Sequence, residues 1–152
     1  MGVFGGIESA RISEGGNYLK PGDYDLEIVK VTVGRTRKGV DFFSCQFKVV
    51  GAPEGTHQIG EFVDWYNGKD KDGFLPNIKE WARAVLQNTS EVVVQEADIT
   101  EPVMEALTAE SGSAVQGMKL RCKVVLKPIK SKPGSFFSRH YWYPGESPTA
   151  EV

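Results

Sequence analysis

The chain has 152 residues, 40% apolar and 25% charged, with a formal net charge of −2. That length favours one domain with a sizeable core, and that composition reads as soluble and globular rather than disordered. No apolar run approaches the roughly 20 residues that a bilayer span needs, and the opening MGVFGGIES suits neither a secretory signal nor N-myristoylation.

Residues 1–18 are Gly-rich and aperiodic and are expected to form a flexible N-terminal arm. LKPGDYDLEIVKVTV (19–33) follows. Tyr24, Leu26 and Ile28 share one parity, whereas Val29, Val31 and Val33 share the other. The switch predicts a long, bent strand with a bulge near Ile28–Val29. GRTRKG (34–39) is a turn with three cations. In VDFFSCQFKVV (40–50), Phe43, Cys45, Phe47 and Val49 alternate with Phe42, Ser44, Gln46 and Lys48, the pattern of a half-buried strand. After a loop, IGEFVDWYN (59–67) is a third strand and GKDKDG (68–73) a polar turn.

FLPNIKEWARAVLQN (74–88) changes period. Ile78, Trp81, Ala82, Val85 and Leu86 predict an amphipathic helix of about three turns. EVVVQ (91–95) suits a short strand or an extended link. DITEPVMEALTAESG (98–112) predicts a second helix, with Asp98 and Glu101 as a capping box, Pro102 in the first turn and Gly112 beyond the end. VQGMKLRCKVVLK (115–127) returns to period two. Leu120, Cys122, Val124 and Leu126 face one side, and Lys119, Arg121, Lys123 and Lys127 the other, with Val125 the exception. PIKSKPGS is a basic turn, FFSRHYWY (136–143) a last strand, and 144–152 a short polar tail.

This order predicts a mainly β domain over 19–143. The fold expected is a five-stranded Greek-key OB-fold barrel with a helical insert between strands 3 and 4. A sandwich needs about seven strands, and a doubly wound sheet needs alternating helices. Cys45 and Cys122 lie in alternating apolar stretches without CxxC spacing, so both are expected in the core of a protein in a reducing cytoplasm.

The small net charge hides a segregation. Residues 30–48 carry +4, five cations against Asp41; residues 119–142 carry +7 with no acid; residues 80–110 carry −6, seven acids against Arg83. An anionic partner meets the local field, not the net charge. In an OB-fold the strand 1–2 and strand 4–5 loops flank the binding face of strands 2 and 3. Here those loops hold Arg35, Arg37 and Lys38, and Lys130 and Lys132. With Lys48, Lys119, Arg121, Lys123 and Arg139 they are the candidate phosphate contacts. The two tips are expected to project together and pinch one backbone. Phe42, Trp65, Phe136, Tyr141 and Trp142 are the candidate stacking rings, since stacking on a ring tolerates any base.

Alternation does not decide which rings face the ligand. Phe136, His140 and Trp142 stand against Phe137, Tyr141 and Tyr143, and Phe62 and Tyr66 against Val63 and Trp65. Strand aromatics also pack cores, and a basic strand face also deters aggregation.

In order along the chain, LKPGDYDLEI, FFSCQFKVVG after a basic turn, GEFVDWYNG and VQGMKLRCKV resemble the corresponding segments of phage-encoded single-stranded-DNA-binding proteins with an OB-fold. The resemblance runs from about Leu19 to Tyr143. It implies a replication or recombination accessory that coats exposed strands in a bacterial host, alongside replication or recombination proteins. Many such proteins end in an acidic tail with an aromatic or apolar tip. This chain ends GESPTAEV, with only Glu146 and Glu151 and no ring, which departs from that pattern.

Two other classes compete with this reading. His57 and His140 are the only histidines, and neither lies in an HExxH or GxSxG setting. DWYNGKDKDG (64–73) lacks the closing Glu of an EF-hand and reads as a turn. No catalysis, cofactor or metal is therefore expected. The alternative is a protein–protein interaction module of OB-like fold, with the acidic stretch 80–110 as its partner surface. Self-association and DNA against RNA preference stay open.

Overall fold

The computed structural model describes residues 17–71 and 73–145. Most of the expected arm and most of the expected tail lie outside the described residues. Five strands form one antiparallel sheet: β1 (Gly22–Arg35), β2 (Asp41–Gly51), β3 (Phe62–Gly68), β4 (Lys119–Pro128) and β5 (Phe136–Pro144). Their order across the sheet is β3-β2-β1-β4-β5. Two helices, α1 (Phe74–Gln87) and α2 (Glu101–Gly112), lie between β3 and β4. The fold is thus mainly β with a helical insert, and among the described residues no helix is long and apolar enough to cross a membrane.

The bulge falls at the expected place. Ile28 pairs with Phe47 and Lys30 with Gln46, so Val29 is the extra residue. The insertion resets the parity, so that Ile28 and Val31 both point inward and are fully buried. The orphaned Val29 carbonyl accepts a bond from the Gln116 side-chain amide at 3.0 Å, which settles a backbone group the ladder leaves over. A second shift between Asp25 and Leu26 adds a further bend.

On β2, Phe43, Cys45, Phe47 and Val49 are buried, as their alternation predicts. Cys45 and Cys122 are free thiols in this core, and burial pushes both well up from the usual thiol range. Although β3 and β5 are the two rims of the sheet, Trp65 and Trp142 meet with ring centroids 4.7 Å apart. The sheet therefore curls until its rims face each other. They meet through side chains; among the described residues no ladder joins β3 to β5, and the sheet is open.

The helix α1 fills the open end. It buries Ile78, Trp81, Ala82, Ala84 and Val85, with Trp81 edge-on to Phe43 at 5.0 Å. Full burial of a large apolar side chain contributes about 1.5–3 kcal/mol. Its polar side chains cover the free edge of β5. The Glu80 carboxylate accepts from Arg139 at 2.8 Å and from the Trp142 backbone N–H at 2.9 Å. Asn88 accepts from the Gly145 N–H and donates to the Lys119 carbonyl. An edge capped in this way is a poor template for strand addition.

One local expectation is corrected, and one open alternative is decided. The N-cap of α2 is Thr100, whose hydroxyl accepts from the Val103 N–H. Asp98 instead closes a reciprocal capping box with Gln95 around the short turn Glu96–Asp98. Asp98 fits a cap by spacing alone, but the helix begins at Glu101, and Thr100 before it has the extended backbone and the side-chain bond of a cap. The stretch 91–95 is an extended link without strand pairing. At its far end α2 departs from helical geometry at Ala109–Ser111 and docks on β1 through Gly112. A Cβ there would come within 2.6 Å of Val31.

The last two residues of the expected arm already lie against the sheet. Asn17 and Tyr18 are described, and the Asn17 carbonyl accepts from the Asp64 N–H at 2.8 Å, along the outer edge of β3. A cluster behind it holds this segment. His57 bonds Glu61 at 2.7 Å and accepts from the Lys20 N–H at 3.1 Å. Asn17, His57 and the Gln58 N–H together hold the Glu61 carboxyl down to about 2.

Candidate nucleic-acid interface

The outer face of β2 and β3 carries the rings that the core does not take. The register sets Phe42 opposite Gly68, Ser44 opposite Tyr66, Gln46 opposite Asp64 and Lys48 opposite Phe62. Phe42 and Tyr66 stack with centroids 5.4 Å apart and planes 25° apart. Gly34 on β1 lies under the Phe42 ring, where a Cβ would come within 3.2 Å. A glycine here lets the ring lie flat over β1. Tyr66 remains 46% exposed and Phe62 53%, so the face presents flat apolar surface to solvent. Lys30 and Lys48 stand exposed on the same face.

This face ends at the first basic turn. The Arg35 guanidinium pairs with Asp41 at 2.9 Å and holds that carboxyl below its usual range. The turn is closed by the Thr36 N–H donating to the Val40 carbonyl and the Val40 N–H donating to the Thr36 hydroxyl. Arg37 and Lys38 are left exposed at the tip. The Lys69 N–H donates to the Asp41 carbonyl at 2.8 Å, tying in the turn after β3. Lys69 and Lys71 are exposed there, with Asp70 between them. The basic turn, its neighbour and the stacked ring pair thus form one contiguous surface.

The second basic turn is elsewhere. Gly22, the first residue of β1, pairs with Val124, and β4 runs on past it to Pro128. The turn at 35–41 follows the last residue of β1. The two tips therefore lie beyond opposite ends of the 14-residue strand β1. This corrects the expectation that they pinch one backbone together. The antiparallel β1–β4 pairing that the fold requires places them so.

Beyond Val124 the β4–β5 hairpin leaves the body as an arm. Leu126, Phe136 and Phe137 are 51%, 59% and 47% exposed, and Lys127, Lys130 and Lys132 are exposed around them. Its tip is held by the Ile129 N–H donating to Ser135 and the Ser135 N–H to Lys132.

The β4 row is partly compensated. Lys119, Arg121 and Lys123 stand opposite Glu27, Asp25 and Asp23 of β1. Among the described residues none of the three closes to an ion pair within 4 Å, and the Arg121 guanidinium donates to the Pro144 carbonyl, but acids this near still reduce the outward field of the row. Arg139 is occupied by Glu80 and lies over the Tyr141 ring at 4.4 Å, which leaves Tyr141 half-covered.

Two ring candidates are corrected outright. Trp65 and Trp142 are 5% and 4% exposed and pack on each other in the core, so neither offers a free face. The stacked ring that alternation missed is Tyr66, with Phe62, Lys30, Lys69 and Lys71 around it. A signal for β3 was present: Asp64 shares parity with Phe62 and Tyr66, and an unpaired carboxylate belongs outside. Arg139 gives the same signal for Phe137, Tyr141 and Tyr143 on β5.

No protein-family model and no curated protein matches this chain.

Proposed function

We propose that the protein binds single-stranded DNA with little sequence preference, on the outer face of β2 and β3. The observation that carries this is the exposed Tyr66 ring, stacked on the half-buried Phe42, beside a turn that presents Arg37 and Lys38. Rings on a strand face stack unpaired bases at about 1–3 kcal/mol each. Cations at its rim neutralise phosphates and release counterions, which makes affinity fall with salt. Lys69 and Lys71 extend this rim, and the arm with Lys130, Lys132 and Phe136 supplies a second cationic station further along the strand.

The fold reading is an OB barrel left open along one seam. Strand order β3-β2-β1-β4-β5, a helix before β4 and rims that meet through Trp65 and Trp142 all support it, since such barrels are partly open. In that fold the β2–β3 face is the place where oligonucleotides bind. Apart from Glu80, which pairs with Arg139, the acids of the stretch 80–110 lie in α2 and the link before it; Glu101 and Glu105 border the surface that holds Phe42, Arg35 and Lys69, where they would limit how far a strand spreads. The biological role that fits is protection of exposed strands in phage DNA replication or recombination.

The test is a titration of fluorescent oligo-dT and of an equal-length duplex at several salt concentrations. The expected result is single-strand preference with affinity that drops steeply as salt rises. Absence of oligo-dT binding at low salt would contradict the proposal and point to the interaction-module reading.

A further inference from the structure

The open seam leaves a cleft of about 300 Å³ between the rims of β3 and β5, at the small end of the range for ligand sites. Tyr18, Tyr66, Asn67, Asn77, Ser138 and His140 are among its walls. It is a polar slot with aromatic sides. Trp65 closes its floor, with the His140 ring 6.0 Å away.

The lining does not satisfy itself. The Asn67 Nδ2 is buried, and among the described residues it has no hydrogen-bond partner. A buried amide donor without a partner is costly and uncommon. Burial holds the His140 ring down to about 4, so at neutral pH it is uncharged and keeps one lone-pair acceptor. Asp64 is the sole charged residue in the lining, and no cation is there to draw in a phosphate. The slot therefore suits a flat, neutral group with hydrogen-bonding edges.

An extended peptide fits less well. The β3 edge already bonds Asn17 through the Asp64 N–H and the Phe62 carbonyl, so an added strand would lack most of its ladder. Tyr66, by contrast, belongs both to the exposed ring pair and to the wall of the cleft. A strand stacked on that ring passes over the mouth of the slot.

We propose that this cleft receives one unstacked nucleobase of the bound strand, edge-on toward Asn67 and His140. The inference rests on the single-strand reading above and adds a subsite to it.

The experiment is photocrosslinking of oligo-dT carrying 4-thiothymidine, with adducts mapped by mass spectrometry on the full chain. Adducts at Tyr18 or His140, in addition to Tyr66, are expected. Adducts confined to Phe42, Phe62 and Tyr66 would overturn the cleft while leaving the ring face intact. Failure of the wild-type chain to bind the oligonucleotide at all would instead overturn the single-strand reading beneath it. A second arm uses Asn67→Leu, which removes the orphan donor at nearly unchanged side-chain shape. Oligo-dT affinity should fall about fivefold to tenfold, the worth of roughly one base, with no drop in Tm. Wild-type affinity in that variant would also overturn the assignment.

Discussion

Lys119, Arg121 and Lys123 form the densest cationic row of any strand, yet each faces an acid on β1. The turn at 35–41 holds fewer cations and spends one on Asp41, but Arg37 and Lys38 stand clear, with Lys69 and Lys71 beside them. The same residue types thus lie beside acids in one region and present a field to solvent in the other. Ladder register separates the two, because it decides which charges are neighbours. Density of cations along the chain does not report which of them stand clear of acids.

The rings follow the same rule. Trp65 and Tyr66 are adjacent in sequence and lie on opposite sides of β3, one 5% and the other 46% exposed. The largest expected effect comes from separating them. Trp65→Ala should cost about 3–5 kcal/mol of stability, as large core truncations do, read by denaturant unfolding. Phe42→Ala with Tyr66→Ala should instead leave the fold standing and cost oligo-dT about 1–3 kcal/mol per lost stacking face. Equal stability losses in the two variants would erase the distinction between core and face.

The charge comparison gives the next effect. Arg37→Ala with Lys38→Ala should weaken oligo-dT binding and flatten its log–log salt dependence by about 1.4, as expected for two lost phosphate contacts on a single strand. Lys119→Ala with Lys123→Ala should change affinity by about twofold or less, because the acids opposite already reduce the field of those charges. A steeper loss from the β4 pair would reverse the assignment of the two regions.

The smallest effect at neutral pH concerns His140. Its folded-state value is lowered from 6.5 to about 4 by burial, so the unfolded chain takes up its proton first. Stability therefore falls as pH drops from about 6.5 to about 4 on account of this residue. His140→Phe should flatten thermal stability against pH in that window and leave it little changed at pH 7.5. Glu61 acts in a lower window. Its value is lowered from 4.5 to about 2, and its stabilising contribution is lost as pH falls between those values.

Much of the fold was legible because local chemistry dictates it. The parity switch at Val29, the alternation of Phe43, Cys45, Phe47 and Val49, and the spacing of Ile78, Trp81 and Val85 each have one sensible burial. The candidate site was legible in part: the basic turn at Arg37 and Lys38, and Phe42 on a polar strand face. Trp65 and Trp142 were misplaced because both parities of β3 and β5 are aromatic, and size draws the larger rings into the core. The separation of the two basic tips was hidden for another reason. Strand pairing joins residues far apart in sequence, and no local pattern reports that Gly22 lies beside Val124. The cleft was likewise invisible, since it arises only where the two rims of the curled sheet meet without a ladder.

The most direct measurement is an amide and side-chain NMR map of the chain titrated with oligo-dT at low salt. The account predicts shifts centred on Phe42, Phe62 and Tyr66, with the turn at 35–38 and Lys69, and little change at Lys119–Lys123. Shifts centred on α2 and the acidic link before it, or none at all at saturating oligonucleotide, would contradict it.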